Sequence, residues 1–137
     1  MIAFDPGHRR IGVATGDRVT GIASPQRAIE VERAQDAVAR AAARVREEGA
    51  ARIVVGLPLH MDGAESAQSK AARAFGDALA AATGLPLEYH DERLTSFEAD
   101  ELMAGSGLTK KQRKARRDSI AAQRILAGWL AAPRPGR

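Results

Sequence analysis

Three acidic positions far apart in the chain, Asp5, the Asp91-Glu92 pair and Asp118, carry side chains suited to holding a hard divalent cation. Asp5 ends a short apolar run and is followed by a Pro6-Gly7 turn. A carboxylate at the end of a buried strand is costly unless something compensates it, and a rigid sheet edge is a good mount for a metal ligand. The second acid follows a run at 86–90. Asp91 and Glu92 would face opposite sides, because successive strand residues alternate; Glu92 is favoured, with Asp91 in reserve. Asp118 heads a helical stripe with Ala121, Ala122, Ile125 and Trp129, spaced i, i+3, i+4, i+7 and i+11. A solvated aspartate does not belong on such an apolar face. The small Ala121 and Ala122 would let that helix approach the sheet and bring Asp118 towards Asp5.

The chain has no cysteine, and His8, His60 and His90 have no mutual spacing that argues for zinc, so packing or surface roles are expected for them. Carboxylates alone predict Mg²⁺ or Mn²⁺. Two such ions about 3.5–4 Å apart can activate water and stabilise the leaving oxygen of a phosphodiester. On this reading Asp5, Glu92 and Asp118 hold the metal and carry the catalysis. Taken singly, the same acids also suit a turn-former, a partner for Arg93 and a helix N-terminal charge.

Directly before Asp118, the stretch Lys110-Lys111-Gln112-Arg113-Lys114-Ala115-Arg116-Arg117 places six cations in eight residues. Cations are locally unfavourable at a helix N-terminus, which already bears partial positive charge. A bound polyphosphate explains the broken rule better than stability does. Lys110, Lys111, Arg113, Lys114, Arg116 and Arg117 are therefore candidate phosphate contacts, and Arg9 and Arg10 in the first hairpin would add others from another side. The Gly105-Ser106-Gly107 lead-in suggests a segment that orders on nucleic acid. The net charge of +4 and an isoelectric point of about 10.1 also point to a polyanionic partner. At 4% aromatic residues, base stacking on an aromatic platform is not expected.

The elements that must position these groups follow from the hydrophobic pattern. Runs at 2–5, 11–16 and about 20–30 form an antiparallel meander. Helical spacing from Glu32 to Glu48 predicts a helix stopped by Gly49. Arg52-Ile53-Val54-Val55-Gly56-Leu57 is a continuous apolar run, as for a strand buried on both faces. Pro58 to Gly63 is a loop with a tight turn at Asp62-Gly63, 65–82 a helix, and Pro86 to His90 a strand. Thr95-Ser96-Phe97-Glu98 matches a capping box and starts a helix to about Met103; a last helix spans roughly 113–131. The order βββαβαβαα predicts an α/β fold with a five-stranded mixed sheet, strand order 3-2-1-4-5, flanked by helices. Right-handed crossovers put the C-terminal ends of strands one, four and five on one edge, where sites form in open α/β sheets. Residues 1–132 are expected to form one domain and 133–137 a frayed tail. No window approaches a membrane span and no basic leader precedes an apolar stretch, so a soluble cytoplasmic protein is expected.

Phe4-Asp5-Pro6-Gly7 with Arg10-Ile11-Gly12-Val13-Ala14, then Val55-Gly56-Leu57-Pro58 and Asp62-Gly63, then Asp91-Glu92-Arg93-Leu94-Thr95-Ser96, then Asp118-Ser119-Ile120-Ala121-Ala122 resemble the YqgF/RuvX family in order and over nearly the whole chain. The resemblance implies an RNase H-like fold shared with RuvC-type Holliday junction resolvases, with the family's acids at Asp5, the Asp91-Glu92 pair and Asp118. It implies trimming of the 5′ end of pre-16S ribosomal RNA, or resolution of four-way DNA junctions, which needs a two-fold dimer for symmetric cuts. RuvC-like enzymes carry an acid on the fourth strand; here that strand ends Gly56-Leu57-Pro58, and Glu92 would have to substitute. Two other functions fit parts of the sequence. One is a non-catalytic RNA-binding module in ribosome assembly; the other is an actin-like phosphate-loop ATPase, suggested by Asp5 to Gly12, for which one domain is too little.

Overall fold

The computed structural model describes residues 1–92, 109–111 and 117–132. Five strands, β1 (Ile2–Pro6), β2 (Arg10–Gly16), β3 (Ala23–Glu30), β4 (Ile53–Leu57) and β5 (Leu87–Asp91), form one sheet in the order β3-β2-β1-β4-β5. β1 is antiparallel to β2 and β2 to β3, whereas β1, β4 and β5 run parallel. The carboxyl ends of those three parallel strands therefore share an edge, as the element order predicts. Helices α1 (Ala37–Glu48) and α2 (Ala67–Thr83) cover one face of the sheet, and α3 (Ile120–Ala131) covers the other.

Strand alternation divides the core into two layers of different character. Towards α1 and α2 point Ile2, Phe4, Val13, Ile53 and Val55, packed against Val45, Phe75 and Leu79. Phe4 and Phe75 meet edge to face, with ring centroids 6.0 Å apart. Towards α3 point Ala3, Ala14 and Val54, packed against Ala122, Ile125, Leu126 and Trp129. β4 is buried along its whole length, which is what a strand lying between two parallel neighbours and two helix layers requires. α2 starts at a capping box in which Ser66 and Ser69 satisfy each other's backbone N–H groups.

Two helix starts differ from the sequence pattern. The helix expected from Glu32 begins at Ala37, after a 3₁₀ turn at Ala34–Asp36, because the chain leaves β3 extended through Arg33 (φ −124°, ψ 130°). The last helix, expected over 113–131, begins at Ile120 behind a 3₁₀ turn at Arg117–Ser119. Lys110 and Lys111 are helical and exposed. The helix expected from Thr95, the Gly105-Ser106-Gly107 loop, Arg113, Lys114 and Arg116 of the basic stretch, and the tail 133–137 lie outside the described residues. No helix among the described residues is long and apolar enough to cross a membrane.

Candidate metal and nucleic-acid site

Asp5 sits at the carboxyl end of β1 on the α3 side of the sheet, two residues beyond Ala3. Its neighbours on both flanking strands are glycines. Gly12 of β2 is its register partner, and Gly56 of β4 lies one step beyond the Phe4–Val55 pair. The volume each glycine leaves open is filled by the chemistry-bearing groups. A methyl group built on Gly12 would lie 2.6 Å from the Asp118 carbonyl oxygen and 3.3 Å from Ser119 Cα. One built on Gly56 would collide with Ile125 Cδ1 and lie 2.9 Å from Glu92 Oε1. Glu92, directly after β5, thus reaches back over the fourth strand, into space that a side chain on β4 would otherwise claim.

The Asp5 and Glu92 carboxyls hydrogen-bond to each other. Burial pushes Asp5 above the ordinary carboxylate range, and the bond with Glu92 pulls it partly back. Burial pushes Glu92 up to about 7; the negative charge of Asp5 and the bond to it push the same way, and Arg124 opposes them. Two half-buried carboxyls cannot both ionise cheaply side by side. Arg124 is the one charged residue of α3, and its Nε is buried without a hydrogen-bond partner among the described residues.

Asp118 does not lie on the apolar stripe its spacing predicts. It belongs to the 3₁₀ turn, and the residues α3 buries are Ile120, Ala122, Gln123, Ile125, Leu126 and Trp129. The turn is fixed from below: the Val13 backbone N–H donates to Ser119 Oγ at 3.0 Å, where the β2–β3 ladder is irregular. Gln123 Nε2 donates to the Ala23 carbonyl at 3.0 Å. With its backbone seated on Gly12, Asp118 keeps its carboxylate 44% exposed, where Oδ2 accepts from Arg10 Nη1 at 3.0 Å. The structure therefore joins Asp5 to Glu92 and places the Asp118 backbone beside them, while its carboxylate is held by Arg10. Among the described residues no group of three or more histidines, aspartates or glutamates is gathered closely enough to hold one metal ion.

A cleft of about 870 Å³ opens over the acids, its lining including Asp5, Arg9, Gln68, Phe75, Glu92 and Ala121. Arg9, which lines this cleft, and Arg10, which follows it in the chain, are exposed, as are Lys110 and Lys111. His90 is 6% exposed and belongs to the packing. In the β4–α2 loop, Gly63 N–H donates to the His60 carbonyl at 2.8 Å and Ala64 N–H to Asp62 Oδ1 at 2.9 Å, the tight turn expected there. The pairing of Arg10 with Asp118, the two vacant glycine positions and Arg124 escape a reading of charges and spacings. For Arg124 a signal exists, a lone cation in an otherwise uncharged helix.

The donor set fits a hard cation. Asp5 and Glu92 present oxygen ligands at a rigid edge, half removed from water, where a divalent ion would relieve the cost of ionising both.

A model of the RuvX family, described as Holliday junction resolvase, matches residues 1–132. The chain is 42% identical over 129 residues to an Anaeromyxobacter sp. (strain Fw109-5) protein named "Putative pre-16S rRNA nuclease", covering 94% of each chain. It is 41% identical over 133 residues to a Chromobacterium violaceum protein of the same name, covering 96% of this chain and 97% of that one. Among solved structures, Thermus thermophilus RuvC in complex with a Holliday junction substrate superposes with a TM-score of 0.55 at 12% identity, covering 93% of this chain and 91% of that one. A second Thermus thermophilus RuvC structure gives 0.52 at 17% identity, covering 93% and 92%. At these identities the RuvC likeness speaks to the fold, which is RNase H-like.

Proposed function

Because the chain belongs to the RuvX family, we propose that it is a divalent-metal-dependent endonuclease that hydrolyses phosphodiester bonds in structured nucleic acid in the cytoplasm. The observation that carries this reading is the Asp5–Glu92 carboxyl pair, half-buried side by side at the edge of the sheet beneath an open cleft. Asp5 and Glu92 would hold Mg²⁺ or Mn²⁺, with Asp118 joining them and Asp91 in reserve. Such ions supply an activated water and charge neutralisation at the leaving oxygen, in the two-metal manner.

The chain's own residues do the rest. Arg9, Arg10, Lys110 and Lys111 bind backbone phosphates, joined by Arg113, Lys114, Arg116 and Arg117 of the basic stretch; phosphate contacts fix register without reading sequence. Arg124 disfavours protonation of Glu92 and so keeps it ready for a cation. Gly56 leaves room for Glu92 to take the place of a fourth-strand acid.

The relatives' names favour pre-16S rRNA as the biological substrate, which we propose is processed at its 5′ end, and the family's description favours four-way junctions as a second substrate. Junction resolution would further require a two-fold homodimer. A non-catalytic RNA-binding role is the competing reading, favoured by the engagement of Asp118 with Arg10. Cleavage of a precursor-RNA fragment and a four-way junction, assayed side by side with Mg²⁺ and Mn²⁺, decides among these. Wild-type protein should cut at least one, and Asp5→Asn should cut about 10³-fold more slowly while still binding it. Full cleavage by Asp5→Asn in Mn²⁺ would reject the metal site; no product with either ion would favour the binding module.

A further inference from the structure

The third candidate acid is tied up in an ion pair that metal binding would have to break. Asp118 Oδ2 lies 3.0 Å from Arg10 Nη1, with the two side chains 44% and 56% exposed. The backbone beneath Asp118 has little freedom to move. Its carbonyl rests on Gly12, and the next residue, fully buried Ser119, accepts the Val13 N–H. Gly12 is in turn the register partner of Asp5, and directly opposed residues in an antiparallel pair have Cα atoms about 4.5–5.5 Å apart. Rotation of the Asp118 side chain, with the turn left in place, is therefore the motion open to its carboxylate.

We propose that Arg10 is a positioning residue that holds the Asp118 carboxylate away from the Asp5–Glu92 pair until a nucleic-acid phosphate takes its guanidinium. The inference rests on reading Asp5 and Glu92 as cation ligands. A guanidinium fork matches carboxylate and phosphate equally well, and an exposed ion pair is weak enough to exchange. Arg10 opens β2 directly after Arg9, which lines the cleft over the acids, and the two arginines together line a neighbouring hollow open to solvent. Once Arg10 turns to a phosphate, Asp118 is left unpaired beside two other carboxyls, a concentration of negative charge that favours a divalent cation. Substrate and metal then bind cooperatively, and the coupling is the same in both directions. A protein without nucleic acid therefore binds its ions poorly.

The test is calorimetric titration of Mn²⁺ into protein free of nucleic acid, comparing wild type with Arg10→Gln, Arg9→Gln, Asp118→Asn, Asp5→Asn and the double variant Arg10→Gln/Asp118→Asn. Arg10→Gln should bind Mn²⁺ about 5- to 10-fold more tightly than wild type, within the usual range of site coupling. Arg9→Gln removes the same charge from the cleft without touching Asp118 and should change affinity less than about twofold. The gain should vanish when Asp118→Asn is already present. Equal or weaker binding by Arg10→Gln overturns the inference, as does an equal gain in Arg9→Gln or a gain that survives Asp118→Asn. Asp5→Asn separates the two levels of the argument. If it keeps wild-type affinity, the metal reading falls and this inference with it; if it loses affinity while Arg10→Gln stays at wild type, the inference alone falls.

Discussion

The two faces of the sheet are built for different ends. Towards α1 and α2 the central strands present Ile2, Phe4, Val13, Ile53 and Val55, large side chains that fill a thick layer. Towards α3 the same strands present Ala3, Asp5, Gly12, Ala14, Val54 and Gly56, mostly small residues over which the helix and its leading turn come down closely. Apolar burial is non-directional and scales with area, so the first face suits stability. Backbone-on-backbone contact leaves little freedom of position, so the second suits the placing of functional groups. The small residues next to Asp5 are spaces kept for Asp118 and Glu92.

That contrast can be broken experimentally. Phe4→Ala should be the largest stability change, about 3–5 kcal/mol lost from a well-packed layer, read as a lower midpoint in urea. It should leave the Mn²⁺ affinity of the protein that remains folded near wild type; a large loss of affinity would mean that the two faces are not separable. Gly12→Ala should do the reverse. Overpacking costs about 1–3 kcal/mol, but displacing the Asp118 turn by a fraction of an ångström to an ångström should slow cleavage up to about 100-fold. Unchanged cleavage by a folded Gly12→Ala protein would show that the close approach is incidental.

The smallest effect is on pH. Asp5 and Glu92 both titrate above their ordinary range in the folded protein, Glu92 near 7, so between pH 4.5 and 7 the folded state holds more protons than the unfolded one. Stability then falls as pH rises through that window. EDTA-treated protein should melt at a lower temperature at pH 8 than at pH 5, and Mg²⁺ should recover the loss at pH 8. The difference should shrink in Glu92→Gln; a profile that rises with pH and is indifferent to this substitution would contradict the upward shift of Glu92.

Much of this arrangement is legible in the chain. The continuous run at 53–57 gives a central strand because a segment buried on both faces has no polar alternation to keep. The sequence of strands and helices gives the sheet order through handedness. Asp5 stands out as a charge where an apolar run ends. Asp118 was harder to place, because helical periodicity assumes that the helix has already begun. A 3₁₀ turn has three residues per turn, so extending the 3.6-residue spacing of α3 backwards through 117–119 puts Asp118 on the wrong face. Nor can a string of letters show that Gly12 and Gly56 matter for what their absent side chains allow. That depends on which residues from elsewhere come to lie above them.

The bonds that seat the 118–119 turn on β2 join residues separated by 106 and 108 positions in sequence. During synthesis the first hairpin therefore leaves the ribosome long before the segment that completes the cleft above it. A growing polypeptide carries Asp5, and later Glu92, before the turn that seats the Asp118 backbone on Gly12 has emerged.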